Sequence, residues 1–169
     1  MAMDQSQIRR SLERLNDELK RVDIKGEICL YGGAAMCVAF DARPSTKDVD
    51  AVFKPVREMR EAISKVGMAE GLREDWINDA VKGFVVPHSR RILFDMPHLK
   101  VFVPDPDYLL AMKTLAARVE GTDRADIEFL IRHMKLSAPS EVFAILEKYY
   151  PRGQIKPATR YFVEELFQS

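Results

Sequence analysis

The spacing of apolar positions changes along the chain and divides it into predicted helices and strands. Ile8, Leu12, Leu15 and Leu19 recur at helical spacing, which predicts an amphipathic helix over about residues 4–22. Shorter apolar runs rich in β-branched and aromatic residues then predict strands. These strands are expected at residues 27–31, 49–53, 90–96 and 99–103.

Helical patterns also occur between the strands and take over the last third of the chain. The apolar segment 34–40 predicts a buried helix, and "PVREMREAISKVG" at 55–67 has the proline start and glycine end of a helix. The segment 74–83 predicts a short helical or irregular piece around Trp76, which is expected in the core or on a lid. Further helices are predicted at about residues 106–119, 123–135, 139–148 and 157–167.

This order of elements predicts an α+β fold with an α/β-type core. A small mixed β-sheet flanked by helices, together with the N-terminal helix, would occupy residues 1–104. Residues 105–169 would form a helical C-terminal part packed on that core, so that the two parts make one structural unit. The chain of 169 residues is long enough for such an arrangement.

The composition is that of a folded protein without a strong electrostatic bias. Hydrophobic residues make up 47% of the chain and charged residues 31%, which excludes a disordered chain. The formal net charge is +0, so any binding of nucleic acid would need a local basic patch. No apolar run approaches the roughly 20 residues of a membrane span, and the charged N-terminus is not a signal peptide.

The cysteines and histidines do not predict a metal centre. Cys29 and Cys37 lie in apolar surroundings, which is typical of reduced, buried thiols in a cytoplasmic protein. His88, His98 and His133 are scattered along the chain and are expected to be surface or structural residues. Because no Cys/His cluster has ligand spacing, zinc is not predicted. We therefore expect a cytoplasmic protein that does not contact a membrane.

The stretch "LYGGAAMCVAFDARPSTKDVDAVF" at 30–53 contains two acids that flank a valine. On a strand, Asp48 and Asp50 point to one face and Val49 to the other. Two neighbouring carboxylates repel each other unless a cation lies between them. Oxygen ligands of this kind suit Mg²⁺, which usually takes one or two protein carboxylates together with substrate phosphates.

The same stretch contains a glycine pair at a predicted strand-to-helix junction. At Gly32 and Gly33, exposed backbone N–H groups and the positive helix end favour an anion. Ser45 and Thr46 add hydroxyl groups just before the acids. Together these residues predict a site for a nucleoside triphosphate and a metal ion. Taken singly, a glycine pair is commonly only a turn, and Asp-x-Asp at a strand start is often a solvated edge or a cap.

Lys113 lies on a predicted helix that is apolar almost all round. Its neighbours one helical turn away are Leu109, Leu110, Ala116 and Ala117, so no acid on its own helix can pair with it. A polyphosphate is a suitable partner, because an ammonium group acts as a flexible point charge. The alternative is a lysine that reaches solvent from the helix edge.

The next predicted helix has two acids in its first turns, where acids suit the helix dipole. For Asp123 this electrostatic role is the preferred interpretation, whereas Asp126 lies at the border of the apolar face. In an antiparallel hairpin with a short link, Lys113 and Asp126 would be offset by about one turn. Arg118 is therefore expected to be the nearer partner of Asp126.

The motif "GGAAM…RPSTKDVDAVF" resembles the signature of the nucleotidyltransferase superfamily, which has a DNA polymerase β-like catalytic core. The form with "STKDVD" is more similar to the AbiEii-type branch, which includes abortive-infection and toxin–antitoxin nucleotidyltransferases. "YLLAMKTLAAR" (108–118) resembles the lysine helix of that branch, and "DRADIEFL" (123–130) its Asp-x-x-Asp-Ile segment. The resemblance runs from about residue 28 to 135, and Thr122 stands where that branch often has arginine.

The resemblance implies a Mg²⁺- or Mn²⁺-dependent nucleotidyltransferase that moves NMP from an NTP to an acceptor hydroxyl. Asp48 and Asp50 would hold the metal, and Lys113 and Asp126 would be catalytic residues that face the nucleotide site. Asp126 would orient Lys113 or Arg118, or help to deprotonate the acceptor. The expected nucleotide-binding residues are Gly32, Gly33, Ser45, Thr46, Lys113 and Arg118.

Many polymerase β-like enzymes use a third carboxylate from a later strand, and here its identity is open. Asp95 is the candidate on a predicted strand, although it can simply precede a turn. Asp79 is the other candidate, with Asn78 and Lys82 as companions. The resemblance also allows Asp126 to take over part of this role.

The acceptor and the biological setting are open as well. The resemblance suggests RNA, particularly a tRNA 3′ end, or a protein side chain, and a possible role in a toxin–antitoxin system with a cognate partner protein. Candidate RNA contacts, which have a solvated surface as their simpler interpretation, are Lys54, Arg57, Arg90, Arg91 and Lys100. The alternatives are a catalytically inactive module that acts through a partner protein, and a regulatory domain that binds triphosphate without turnover.

Overall fold

The structure of the protein is a computed structural model that describes residues 2–116 and 122–168. The chain divides into two compact units. The first comprises Met1–Val85 and Arg90–Pro104, and the second comprises Val86–Ser89 and Asp105–Ser169. The first unit contains strands and helices, and the second is helical, as the predicted α+β class requires.

The first unit contains the strands and the first three helices. The strands are β1 (Met3–Asp4), β2 (Gly26–Tyr31), β3 (Ser45–Thr46), β4 (Val49–Lys54), β5 (Ile77–Asn78), β6 (Arg90–Asp95) and β7 (Leu99–Pro104). The helices are α1 (Gln5–Arg21), α2 (Gly32–Phe40) and α3 (Val56–Glu70), with a 3₁₀ turn at Ala80–Gly83. The longer predicted strands and the first helix are therefore confirmed.

The main sheet has the strand order β5-β4-β2-β7-β6 and mixed direction. Strand β2 runs antiparallel to β4 and parallel to β7, while β4 and β5 are parallel and β6 and β7 antiparallel. The strands β1 and β3 form a separate small antiparallel pair. Alternation places the fully buried residues of the central strands on one sheet face, namely Ile28, Leu30, Val49, Ala51, Val101 and Val103.

Helix α1 buries the periodic apolar residues that predicted it. Ile8, Leu12, Leu15 and Leu19 are all fully buried. An ideal Cβ built on Gly26 at the start of β2 would lie 3.1 Å from Leu19 Cδ1, so α1 approaches this strand closely. The described residues contain no helix with both the length and the apolar character needed to cross a membrane.

One prediction in the region between β4 and β6 was wrong, and another was confirmed only in part, because the segment 74–83 contains the 3₁₀ turn Ala80–Gly83 but also a strand. Helix α3 does not end at Gly67 but continues to Glu70 and ends at Gly71, which has φ +70°. Gly67 instead allows a close approach, since a Cβ there would lie 2.5 Å from the carbonyl oxygen of Arg73. The segment predicted as helical or irregular contains strand β5, because its backbone pairs with β4. Trp76 is a buried core residue whose Nε1 donates to Ile63 O at 2.8 Å.

The second unit is built from helices that enclose a buried tyrosine. The helices are α4 (Pro106–Ala116), α5 (Thr122–His133), α6 (Pro139–Tyr149) and α7 (Pro157–Leu166), with a 3₁₀ turn at Arg152–Gln154. The hydroxyl groups of Tyr108 and Tyr150 are 2.8 Å apart, and the Val86 N–H donates to Tyr108 Oη at 3.1 Å. The ring of His88 stacks on Tyr108 with 4.0 Å between centroids, so this histidine has a structural contact.

Asp107 links α4 to the end of α6 in the second unit. It accepts hydrogen bonds from Tyr149 Oη at 2.7 Å and from Lys148 Nζ at 2.9 Å. Partial burial opposes ionisation of this carboxyl, but the bonds from Lys148 and Tyr149 outweigh it and lower the pKa of Asp107. A carboxyl whose pKa is lowered by folding stabilises the folded state above its unfolded pKa and loses that contribution below it.

We expect Asp107→Asn to lower the free energy of unfolding by about 1–2 kcal/mol at pH 7, because hydrogen bonds to an ionised acceptor are lost. The difference from wild type should persist down to about pH 4, the ordinary pKa of aspartate, and shrink below it. Urea unfolding of both proteins at several pH values measures this difference. A gap of the same size at pH 3 and pH 7 would contradict the ionic origin of the effect.

Candidate functional site

The predicted glycine pair begins a helix directly, rather than forming a separate turn before it. Strand β2 ends at Tyr31 and helix α2 starts at Gly32, whose φ is +57°. Only glycine adopts this conformation without steric cost, so the sequence has glycine where the chain changes from strand to helix. The first turn of a helix has backbone N–H groups without helical partners, which makes this position suitable for an anion.

Asp50 lies directly opposite the end of β2. In the antiparallel register of β2 and β4, Tyr31 pairs with Asp50. An ideal Cβ on Gly32 would lie 3.3 Å from Asp50 Oδ2, so the carboxylate is next to the glycine backbone. The structure therefore brings together the first glycine and the second acid of the predicted site. Val49 is fully buried, and alternation places Asp50 on the opposite face of the sheet.

Thr46, one of the two hydroxyl residues predicted to help bind phosphate, packs against the second glycine. A Cβ on Gly33 would lie 2.6 Å from Thr46 Oγ1, a distance that no real Cβ could keep. The Thr46 hydroxyl donates to the carbonyl oxygen of Asp48 at 3.0 Å. Strand β1 holds this loop, since Met3 pairs with Thr46 and Asp4 with Ser45. Thr46 is buried and Ser45 half-buried.

Arg43 is a candidate site residue that sequence reasoning missed. Its guanidinium group lies against the position that a Cβ on Gly33 would occupy. The side chain is only partly exposed, which keeps a permanent positive charge beside the start of α2. The available signal was an arginine in the short loop between the apolar helix and the Ser-Thr pair.

Asp48 precedes β4 and is exposed, whereas Asp50 is half-buried. Because Asp48 lies just outside the strand, its sharing of a face with Asp50 stays a prediction. Asn78 on β5 pairs in register with Asp50, so its side-chain amide oxygen is a neighbouring candidate ligand for a metal ion. Its Oδ1 also accepts a long hydrogen bond of 3.4 Å from the Ala80 N–H.

Asp79, one of the candidates for a third carboxylate, already pairs with two cationic side chains. Asp79 accepts hydrogen bonds from Arg60 at 2.9 Å and from Lys82 at 3.2 Å. Desolvation alone would raise the pKa of Asp79, but the bonds from Lys82 and Arg60 outweigh it and lower that pKa. Asp79 is thus engaged in a local ion-pair network.

Asp95 lies at the wrong end of the sheet for a role beside Asp50. It pairs with Lys100, which in turn pairs with Glu27 at the start of β2. Asp50 is level with Tyr31, the last residue of β2, which is roughly 13 Å away along the strand. The position of Asp95 relative to Asp50 could not be predicted from the sequence, because the register of β6 and β7 depends on the hairpin and its bulge.

The donor set fits a divalent cation that is bound jointly with a phosphate. Among the residues that the structure describes, no group of three or more His, Cys, Asp or Glu side chains is arranged to hold a metal. Asp48 and Asp50 alone match the way Mg²⁺ takes one or two carboxylates and completes its shell with substrate phosphates and water. The candidate ligands are therefore Asp48 and Asp50, with Asn78 as a neutral neighbour.

In the second unit, Lys113 forms a buried ion pair with the residue that the resemblance linked to it. Lys113 Nζ lies 2.7 Å from Asp126 Oδ2 and 3.2 Å from Asp123 Oδ1. Lys113 is 8% exposed and Asp126 2% exposed. The offset of about one turn does not prevent this pair, because an extended lysine side chain spans about one helical turn of 5.4 Å. That Arg118 is the nearer partner of Asp126 stays a prediction. Arg118 lies outside the described residues.

The remaining candidates have local roles. Lys54 pairs with Glu27 at 3.1 Å, and Arg57 with Glu58 at 3.1 Å. The guanidinium carbon of Arg90 lies 3.8 Å from the centroid of Phe102. Arg91 lies 5.4 Å from the ring centroid of Phe40, while Lys100 is exposed. These contacts do not exclude nucleic acid, but each one also fits a solvated protein surface.

The two thiols have surroundings that favour packing over chemistry. Both are buried, and burial raises the pKa of Cys29 and of Cys37. Thiols with raised pKa values are mostly protonated at neutral pH and therefore poorly nucleophilic.

Gly32→Ala is expected to lower the free energy of unfolding by about 1–2 kcal/mol, because φ of +57° is costly for alanine. Chemical unfolding of the purified variant measures this. Gly83→Ala is the matched control, since a Cβ there meets nothing within 4 Å. Equal stability of the two variants would contradict the left-handed backbone conformation at position 32.

Comparison with known proteins finds a similar fold. No family model and no curated protein sequence matches the chain. Among solved structures, the chain is similar to the crystal structure of an antigenic nucleotidyltransferase-like protein from Paracoccidioides brasiliensis, with a TM-score of 0.51 and 18% sequence identity. The match covers 96% of this chain and 94% of that one. This similarity does not test the AbiEii-type branch. It shows that the chain has the fold of a nucleotidyltransferase-like protein.

Proposed function

We propose that the protein is a nucleotidyltransferase that moves a nucleotidyl group from a nucleoside triphosphate to an acceptor hydroxyl. The observation that carries this proposal is the position of Asp50 against Gly32. It combines a carboxylate suited to a divalent cation with a helix start suited to phosphate. The fold shared with a nucleotidyltransferase-like protein is consistent with it.

The triphosphate would be bound by groups around the start of α2. Backbone N–H groups at Gly32 and Gly33 would donate to phosphate oxygens, and the Ser45 hydroxyl would donate beside them. The Thr46 hydroxyl would have to exchange its bond to the Asp48 carbonyl oxygen for one to phosphate. Arg43 would add a fixed positive charge, because its guanidinium group already lies at the Gly33 backbone. At Gly32 the absence of a side chain would let phosphate approach the backbone closely, whereas at Gly33 the corresponding space is filled by Arg43 and Thr46.

Asp48 and Asp50 would bind Mg²⁺ or Mn²⁺ together with the triphosphate. When bound, such an ion polarises the α-phosphate and neutralises charge on the leaving pyrophosphate. In the reaction the acceptor oxygen bonds to the α-phosphorus, the bond to the bridging oxygen breaks, and pyrophosphate leaves. The proton of the acceptor hydroxyl passes to a base or to water.

The roles implied for Lys113 and Asp126 are part of the proposal. Lys113 would add positive charge for the polyphosphate. Asp126 would orient Lys113, which the 2.7 Å ion pair supports, or help to deprotonate the acceptor. Arg118 is proposed as a further nucleotide contact on the resemblance alone.

The acceptor is proposed to be an RNA end, such as a tRNA 3′ end, or a protein side chain. The zero net charge leaves a protein acceptor as credible as RNA, because RNA binders commonly carry a basic patch. A role in a toxin–antitoxin system with a cognate partner is a further part of the proposal and rests on the resemblance.

A nucleotide-binding module without turnover is the second candidate function. It is favoured by the residues beside the site on β7, where Phe102 pairs with Cys29 on the sheet face that carries Asp50. Phe102 lies two residues from the level of Asp50, and that face of β7 carries no acid. Such a module would bind triphosphate and act through a partner protein.

One labelling experiment separates these possibilities. The purified chain is incubated with Mg²⁺ or Mn²⁺, each α-labelled triphosphate, total RNA and cell lysate, and the label is followed on gels. Label in RNA or in protein supports the transferase and identifies the acceptor class. Triphosphate that binds but leaves both fractions unlabelled supports the second candidate. Absence of both binding and label would overturn the nucleotide-binding account.

A further inference from the structure

We infer that the first unit contains a second ligand site, at the opposite end of the sheet from Gly32, which binds a small organic phosphate. A cavity of about 750 Å³ lies where β2 and β7 begin and β4 ends. This volume falls within the range of small-molecule sites. Asp50 and Lys54 occupy opposite ends of β4, roughly 13 Å apart along the strand, so the cavity is distinct from the candidate nucleotide site.

A row of charged residues crosses the strands at this cavity. Glu27 pairs in register with Lys54 on one side and with Lys100 on the other, and Lys25 precedes Glu27 by two residues. All of these residues line the cavity. Neighbouring strands lie about 4.8 Å apart, so Lys25, which directly precedes β2, and Lys100 on the adjacent β7 are close enough for both ammonium groups to reach one bound anion.

The lining has three lysines (Lys25, Lys54 and Lys100) and two acids (Glu27 and Asp95), and this excess of one positive charge suits an anion. Glu27 is already neutralised, with Lys54 Nζ at 3.1 Å and Arg90 Nη2 at 3.8 Å. Lys25 and Lys100 are exposed and form no ion pair with any residue in the described part of the chain. Asp95 is the one remaining acid of the lining, so the two lysines give an excess of positive charge. Ammonium groups are common ligands of phosphate.

The rest of the lining favours an organic ligand over free phosphate. Pro55, Met96 and Pro97 supply apolar surface. His98 is held in the cavity wall by two hydrogen bonds. Its backbone N–H donates to Asn16 Oδ1 at 2.8 Å, and its ring Nδ1 donates to Ile24 O at 3.1 Å. A phosphate monoester with a compact apolar part matches lysines beside prolines and methionine in one cavity.

Phenyl phosphate is a suitable probe, and ¹⁵N–¹H correlation spectra of the full chain report where it binds. We expect saturable shifts at the amides of Lys25, Gly26, Leu99 and Lys100, weaker binding of inorganic phosphate, and no comparable binding of phenol. The double variant Lys25→Gln/Lys100→Gln should bind phenyl phosphate at least about tenfold more weakly, since two charge-assisted contacts are lost. Lys20→Gln, an exposed lysine on α1 outside the cavity, should bind like wild type.

Asp50→Asn should leave this binding unchanged, which separates the second site from the proposed nucleotide site. Shifts confined to Gly32, Gly33 and their neighbours would overturn the inference, as would equal affinity of the double variant and wild type. Equal binding of phenol would show an apolar cavity without phosphate recognition and would also overturn it. The correlation spectrum of each variant confirms that it is folded.

Discussion

Asp50→Asn is expected to lower the rate of nucleotidyl transfer by about 10³-fold or more, which corresponds to about 4 kcal/mol of transition-state stabilisation. Asparagine keeps the size of the side chain but removes the charge that would hold the cation against the phosphates. The carboxylate lies next to Gly32 at the start of α2, where the phosphates would bind. Single-turnover transfer of α-labelled triphosphate to the acceptor found by labelling measures the rate.

Asp41→Asn provides a matched control for this variant. Asp41 is an exposed acid that follows α2 and has φ of +51°, a conformation that asparagine adopts readily. It carries the same charge and lies at the end of α2, outside the proposed metal-binding pair. We expect near wild-type transfer from Asp41→Asn. Similar losses in both variants would show that general electrostatics, rather than a specific ligand, cause the effect.

Lys113→Met is expected to lower the free energy of unfolding by about 3–5 kcal/mol, because it leaves the buried Asp126 carboxylate without its nearest cation. Methionine fills a similar volume, so the loss reports charge rather than a cavity. Urea unfolding followed by circular dichroism measures the change. The double variant Lys113→Met/Asp126→Leu should recover much of the loss, since replacing a whole buried pair with apolar residues is often nearly neutral.

Lys148→Met is the control for the buried pair. Its ion pair with Asp107 has a similar distance of 2.9 Å, but Lys148 has 62% of its side chain exposed. An exposed pair contributes only about 0–1 kcal/mol, so this variant should be much closer to wild type. If Lys113→Met cost no more than Lys148→Met, the buried pair would not stabilise the second unit.

The elements with clear periodicity could be predicted from the sequence. The apolar spacing of α1 and the short strand segments are local signals, and β2 and β4 formed where those signals placed them. The alternation of Val49 and Asp50 also predicted which of them enters the core. Strand β5 has only two residues and exists because β4 offers it backbone partners, which no local pattern encodes.

The parts of the site that depend on register or side-chain reach could not be predicted. Asp95 is separated from Asp50 by the register of the β6–β7 hairpin, which includes a bulge. Arg43 reaches Gly33 through the path of an irregular loop. The pairing of Lys113 with Asp126 depends on an extended side chain, whereas helical rise alone places only the backbone. Position 67 requires glycine because the chain packs closely against it, whereas Gly71 ends helix α3. Only the structure distinguishes these two roles.

Calorimetric titration of nucleoside triphosphate in the presence and absence of Mg²⁺ tests the central claim most directly. The claim is that Gly32, Gly33, Asp48 and Asp50 form one triphosphate–metal site. We expect wild type to bind triphosphate in a Mg²⁺-dependent manner, and Asp48→Asn and Asp50→Asn to lose that dependence while Asp41→Asn keeps it. Unchanged Mg²⁺-dependent affinity in Asp48→Asn and Asp50→Asn would contradict the account.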